Sequence, residues 1–137
     1  MKALTICQPY AELIARGDKW IENRTWYTPH RGPLLIHAGK SRKYMRDGDD
    51  ERFPDMAFGA VIAIASLVDC EHEANIEATV ALGEPHHLSR DRCEEILGHV
   101  HCEGPYLWIL SDIKRVVPVH VNGKQGLWEM ENRGAIL

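Results

Sequence analysis

The sequence predicts a small mixed β-barrel of the α+β class, with five or six strands and short flanking helices. Three observations support this prediction. Segments with the length and pattern of β-strands recur along the chain, glycine and proline separate these segments, and the helical segments are short. The chain has 137 residues, which is enough for one hydrophobic core. We therefore expect a single domain over residues 1–137, with a tail from about residue 131.

The N-terminal elements are a strand over 2–7 and a helix over 10–16. Pro9 suits the first helical turn, because its missing N–H would have no intrahelical partner there. Gly17 is a natural helix C-cap. Gln8 lies at the helix start, where its amide either caps the backbone or meets a ligand.

A hairpin is expected next. Residues 20–26 alternate like a strand, which places Glu22 and Arg24 on one face as neighbours. The segment 27–33 contains two prolines and a glycine and is expected to turn. The apolar run 34–36 then returns as a buried strand.

The middle of the chain contains the most apolar run, 58–68, which we interpret as a central strand buried on both faces. Before it, Ser41 is expected to cap a short helix through about Arg46. The acidic segment 47–52 is expected to be a solvated loop.

Two helices and three strands are expected in the remainder of the chain. The helices span 73–82 and, after the cap Ser89, the residues up to Leu97. The strands span 106–110, 113–121 and 127–130. A turn at Asp112 separates the first two strands, and Asn122-Gly123 is a strong hairpin signal between the last two.

Composition narrows the functional classes. The formal net charge is −4, unlike that of a protein that coats nucleic acid, so any nucleic acid would meet a local patch. No apolar run of roughly eighteen residues occurs, and the N-terminus lacks a signal-peptide core. We expect a cytoplasmic protein that does not engage membranes, whose four cysteines are thiols.

Most candidate functional residues lie in the predicted hairpin region, where cationic and aromatic residues cluster. Lys19 in an open groove would attract phosphate, whereas a buried Lys19 could act as base or nucleophile with Glu22 relaying a proton. Trp20, Trp26 or Tyr27 could stack a base. A purely structural Glu22–Arg24 ion pair is the third alternative at this stage.

No metal or cofactor is expected from the motifs. Potential ligands occur in separate groups, Cys70-Glu-His72, His86-His87 and His99-Val-His-Cys102, but the usual zinc spacings are absent. No P-loop, dinucleotide fingerprint or nucleophile elbow occurs.

Specific motifs resemble the ASCH domain family, in particular the ASCH domain of a eukaryotic transcription coactivator. They are the segment 4–14, Gly17-x-Lys19-x-x-Glu22-x-Arg24, and the segments 26–32 and 36–38. The likeness covers roughly residues 3–130, with no counterpart for about 71–103. It implies a PUA-like fold with a ligand cleft.

The resemblance also implies a function: binding of RNA or DNA, or of a nucleoside-like small molecule. The implied site residues are Lys19, Glu22 and Arg24, with Gln8, Trp26 and Arg31 as neighbours. Tyr27 is added to the candidate site as a residue on which a base could stack. Some ASCH-like proteins are amidohydrolases acting on N4-acetylcytidine, and a nuclease activity is also associated with the family. An enzyme would use Lys19 and Glu22 as catalytic residues, although the amidohydrolases have threonine at the Glu22 position. Glu71, Glu73 and Glu77 are candidates for a further acid.

Overall fold

The computed structural model describes residues 1–131, and within them six strands and four short helices confirm the predicted α+β class and strand number. The strands are β1 Lys2–Ile6, β2 Ile21–Arg24, β3 Gly32–Ala38, β4 Ala60–His72, β5 Tyr106–His120 and β6 Leu127–Glu129. The helices are α1 Tyr10–Ala15, α2 Asp49–Arg52, α3 Glu73–Leu82 and α4 Arg90–Gly98. Except for Glu131, the predicted tail lies outside the described residues.

The six strands form one mixed sheet in the order β2-β5-β4-β3-β1-β6. β1 pairs with β3 in parallel and with β6 in antiparallel orientation. β2 pairs with β5 in antiparallel orientation. β4, which contains the most apolar run, is an interior strand, as its two-sided burial requires.

Both predicted hairpins are wrong. β2 and β3 are not neighbours in the sheet, and neither are β5 and β6. Residues 34–38 of β3 are all buried, and a strand of this kind is stable in the interior of a sheet, where β1 and β4 flank it. The turn residues after β2 and the Asn122-Gly123 segment therefore connect strands that are apart in the sheet.

Two local predictions also need correction. Residues 41–46 contain a turn at Lys43 and Tyr44 and no helix, and the short helix α2 begins later, after Gly48, which has a positive φ of 89°. The Asp49 carboxylate accepts the Arg46 N–H at 2.8 Å, which helps to position this start. Asp112 does not end a strand: it has a φ of 48° within the continuous strand β5. Aspartate tolerates this conformation better than most residues.

The two predicted helices of the second half are confirmed. α3 has the predicted bounds, and Gly83 ends it with a positive φ of 70°. Ser89 caps α4, because its Oγ accepts the Arg92 N–H at 3.1 Å. Local chemistry was therefore sufficient to predict both helices.

The chain divides into two compact units, so the single-domain assignment stays a prediction. Within the described residues, unit 1 comprises Met1–Lys19, Gly32–Ser66 and 112–131; unit 2 comprises Trp20–Arg31 and Leu67–Ser111. Each unit has its own core. One buried hydrophobic cluster of unit 1 consists of Ala3, Leu35, Val61, Trp128 and Met130, and one of unit 2 consists of Ile21, Ile76, Cys93, Ile96, Leu107 and Ile109.

All four cysteines are free, as predicted. Among the helices of the described residues, none combines the length and the apolar character that crossing a bilayer requires.

Candidate functional site

The sequence motif after Lys19 folds into the edge strand β2 of unit 2. Glu22 lies opposite Trp108 and Arg24 opposite Tyr106 in the antiparallel register with β5. The two side chains share a face, as their period-two spacing predicted, and Arg24 Nη2 is 2.9 Å from Glu22 Oε2. Glu22 is buried and Arg24 is half-buried, so the charges of the ion pair are only partly screened by water.

Tyr27 and Arg31 form an exposed aromatic–cation pair after β2. The Tyr27 side chain is 52% exposed, and the Arg31 guanidinium carbon lies 5.8 Å from the centre of its ring. Arg31 Nη1 donates to the carbonyl oxygens of Thr28 and His30, both at 2.8 Å. Because the loop backbone holds the guanidinium, the pair presents a positioned surface to solvent.

A pocket of about 650 Å³ opens beside this pair, within unit 2. Its lining consists of Tyr27, Arg31, Val68, Asp69, Cys70, Glu71, His87 and Leu88. The volume lies within the range of small-molecule sites. The aromatic–cation pair and two carboxylates of β4 therefore face a common space large enough for a nucleoside.

Three side chains that line this pocket, Asp69, Glu71 and His87, form with the neighbouring His86 what we call the acid–histidine cluster. His87 Nε2 lies 2.7 Å from Asp69 Oδ2 and 3.2 Å from Glu71 Oε1. His86 Nε2 lies 3.1 Å from Glu71 Oε2. The two imidazole rings stack with centroids 4.4 Å apart.

The environment shifts the pKa values of the Asp69 and Glu71 carboxyl groups in opposite directions. Burial raises the pKa of Glu71, and the hydrogen bond with Asp69 and its negative charge raise that pKa further. Burial by itself would raise the pKa of Asp69 too. Hydrogen bonds from His87, Glu71 and the Cys70 N–H outweigh burial, and they lower this pKa. Two carboxyl groups of unequal acidity therefore share one site, an arrangement suited to holding a proton or a cation.

Trp26 is less available for stacking than Tyr27. Its ring contacts the buried Trp108 edge-on, with centroids 4.8 Å apart, and its carbonyl accepts the Trp108 Nε1–H at 3.3 Å. A role for Trp26 in ligand binding stays a prediction.

The remaining predicted site residues, Gln8 and Lys19, belong to unit 1. Gln8 is buried and donates from Nε2 to the Ala57 carbonyl at 2.7 Å, while its Oε1 accepts the Glu12 N–H at 2.8 Å. It thus caps α1 through its side chain. The Lys19 residue is 3% exposed, and its backbone N–H donates to the Leu13 carbonyl at 3.1 Å.

The sequence did not predict the acid–histidine cluster as a site. Glu71 was one of three candidate acids, and the two histidines were among potential metal ligands in separate segments. Asp69 and Glu71 alternate at the end of β4, and this spacing, which puts both on one face of a strand, was the available signal. The approach of His86 and His87 depends on the course of the chain after α3.

Unit 1 contains a buried polar relay around His37. The Trp128 Nε1–H donates to Thr5 Oγ1 at 3.1 Å, and Thr5 Oγ1 is 3.1 Å from His37 Nδ1. His37 Nε2 is 2.7 Å from the Val121 carbonyl oxygen, which can only accept a hydrogen, so the neutral ring carries its proton on Nε2. Every polar atom of the ring is satisfied in its neutral form.

We expect this relay to make stability depend on pH. Burial lowers the pKa of His37; the hydrogen bond to Val121 opposes this, and the charge of Lys40 adds to it. The unfolded chain therefore binds more protons at this ring, and stability falls as pH decreases from about 6.5 toward the folded pKa. The slope contributed by one proton is at most about 1.4 kcal/mol per pH unit.

Thermal unfolding between pH 7.5 and 5 would measure this dependence. His37→Gln should flatten the decline in Tm, whereas His120→Gln, at an exposed histidine of the same unit, should not. Parallel pH profiles for the wild type and His37→Gln would contradict the assignment.

The ASCH domain model matches residues 4–118 of the chain. This chain belongs to the ASCH domain family. The match includes the strand β2 and the pocket described above. ASCH domains have a PUA-like fold and are linked to RNA binding, and the six-stranded sheet with short helices agrees with that fold.

Curated relatives of this ASCH domain include activating signal cointegrator 1 of Homo sapiens and of Mus musculus. The human protein is 27% identical over 146 residues, which cover 95% of this chain and 22% of the relative. The mouse protein is 38% identical over 80 residues, which cover 49% of this chain and 14% of the relative. The chain thus spans about a fifth of the length of the human relative.

Solved structures of similar fold include the ASCH protein of Zymomonas mobilis. It has a TM-score of 0.54 and 16% identity, over 95% of this chain and 87% of that chain. A mutant of the same protein has a TM-score of 0.54 and 15% identity, over 95% and 89% of the two chains. At this identity the likeness concerns the fold.

Proposed function

We propose that this ASCH domain binds single-stranded RNA, or a nucleotide derived from it, at the pocket of unit 2. The observation that carries the proposal is the exposed Tyr27 ring with the Arg31 guanidinium held over it at the pocket mouth. Aromatic and guanidinium planes stack unpaired bases, and arginine also pairs with phosphate. The family's link to RNA binding supports the same assignment.

Binding to phosphate is expected to be limited. The formal net charge is −4, and Arg31 is already 3.8 Å from Asp69 Oδ1. One neutralised phosphate on a single strand predicts a slope of about −0.7 in log K against log salt. This shallow dependence is expected of a site that recognises one nucleotide rather than a long backbone.

The family resemblance also implied Lys19, Glu22 and Arg24 as site residues, and we keep these three residues in the proposal. The ion pair of Glu22 and Arg24 supports β2 immediately before the loop that carries Tyr27. Loss of this pair is expected to weaken binding through the position of that loop.

Fluorescence anisotropy with a labelled ten-nucleotide pyrimidine RNA tests the proposal. Tyr27→Ala should weaken binding about 5- to 150-fold, because stacking of one base is worth about 1–3 kcal/mol. Arg31→Ala should weaken binding and remove most of the salt slope.

Tyr44→Ala is the matched control. Tyr44 is 46% exposed and has the Lys43 ammonium 4.9 Å from its ring centre, but it belongs to unit 1. The Tyr44→Ala variant should bind RNA like the wild type. Equal losses in Tyr27→Ala and Tyr44→Ala, or no loss in either, would contradict the proposed site.

A hydrolase acting on an acylated nucleoside is the second candidate, favoured by the burial of Lys19, since desolvated lysines serve as bases or nucleophiles. Incubation with N4-acetylcytidine and measurement of released acetate tests it. We expect no turnover. Release that Lys19→Met abolishes, without loss of affinity, would replace the binding function with hydrolysis.

A further inference from the structure

The acid–histidine cluster has the composition and spacing of a metal centre. One ligand atom from each of Glu71, His86 and His87 lies within 4.8 Å of the other two. Asp69 adds a second carboxylate, with Oδ2 only 2.7 Å from His87 Nε2. Imidazole with carboxylates is a donor set suited to Zn²⁺ and to other divalent transition metals.

The hydrogen bonds separate a ligand from a supporting residue. His86 Nδ1 accepts the Leu88 N–H at 3.0 Å, so the proton of its neutral ring is on Nε2, which faces Glu71 Oε2. Binding of a metal at that nitrogen would require the proton to move to Nδ1, at the cost of the Leu88 hydrogen bond. His86 is therefore placed to orient Glu71 as a donor.

His87, in contrast to His86, is placed to bind an ion directly. Its side chain is 61% exposed, whereas those of Asp69 and Glu71 are 11% and 13% exposed. Its Nε2 lies between the two carboxylates, which leave one side of the group open to the pocket. An ion bound by these three residues would keep positions for water or for a ligand oxygen.

The distances permit an ion with small adjustments. Metal–ligand bonds of about 2.1 Å place neighbouring donors about 3.4 Å apart in a tetrahedral site. His87 Nε2 is 2.7 Å and 3.2 Å from the two carboxylate oxygens. An ion would replace the contact of His87 with Asp69, now 2.7 Å, and the exposed His87 ring would have to move by about 0.7 Å at most.

The charge of the cluster also favours a bound cation. Two adjacent carboxylates repel each other in a partly buried site, and Arg31, 3.8 Å from Asp69 Oδ1, offsets only part of that charge. A divalent cation would neutralise the pair.

We propose that His87 Nε2, Asp69 Oδ2 and Glu71 Oε1 bind one divalent transition-metal ion, and that His86 acts as a positioning residue through Glu71. The proposal does not depend on RNA binding, because the ion alone is the ligand.

Isothermal titration calorimetry of the full chain with ZnCl2 after removal of metal by a chelator tests this assignment. We expect one site whose affinity falls at least 100-fold in His87→Ala and in Asp69→Asn, because each removes a ligand. His86→Gln keeps an N–H donor toward Glu71 and should lose about tenfold or less.

His120→Ala, at an exposed histidine of unit 1, is the matched control and should bind like the wild type. Far-ultraviolet circular dichroism verifies that each variant is folded. The proposal is overturned if no variant of the cluster changes the affinity, or if His120→Ala loses as much as His87→Ala. A loss in His86→Gln equal to that in His87→Ala would overturn the assigned roles.

Discussion

Replacement of Asn23 by alanine is expected to lower the free energy of unfolding by about 2–4 kcal/mol. The Asn23 Oδ1 accepts the N–H groups of Glu103 and Gly104 at 2.9 Å and 2.8 Å. Its Nδ2 donates to the His101 carbonyl at 2.8 Å. One side chain on β2 thus holds the loop that leads into β5, and its loss leaves three backbone groups without these bonds.

Denaturant unfolding monitored by tryptophan fluorescence would measure the loss. Thr25→Ala is the control, because Thr25 is exposed and only two positions away; it should change stability by less than about 0.5 kcal/mol. Similar midpoints for the two variants would show that the loop does not need Asn23.

The second large effect is expected at Gly123. A Cβ built there would lie 2.5 Å from Thr5 Oγ1 and 2.7 Å from His37 Cε1. Both atoms belong to the buried relay of unit 1, where both ring nitrogens of His37 are hydrogen-bonded, so neither side chain can move without losing a hydrogen bond. Gly123→Ala should therefore cost about 1–3 kcal/mol, the usual penalty for overpacking.

Gly98→Ala is the matched control for that variant. Nothing lies within 4 Å of a Cβ at Gly98, and alanine favours the helical conformation, so stability should be unchanged or slightly higher. If denaturant midpoints fall equally for Gly98→Ala and Gly123→Ala, close packing at Gly123 is not the cause.

Asn23 and Gly123 also illustrate where sequence reasoning stops. The alternation around β2 placed Asn23 on the face opposite Glu22 and assigned it no role, because its three partners lie about eighty residues away along the chain. Asn122-Gly123 resembled a hairpin turn, yet the glycine is needed for its approach to His37. A local pattern contains no information about such partners.

Helix caps and strand periodicity, in contrast, were sufficient for several elements. Ser89 and the glycine after α3 mark helix ends through bonds to backbone groups a few residues away. The Glu22–Arg24 pair follows from the period of a strand, and the apolar run of β4 predicts its interior position.

The sequence by itself therefore determined the α+β class, most helices and strands, and the family, since each depends on short-range periodicity or on a local motif. Tertiary structure alone decided which strands pair, which residues meet at the pocket, and that two histidines approach the carboxylates of β4. Those outcomes depend on burial of whole strands and on contacts between distant segments, and such long-range energies are not encoded in the spacing of neighbouring residues.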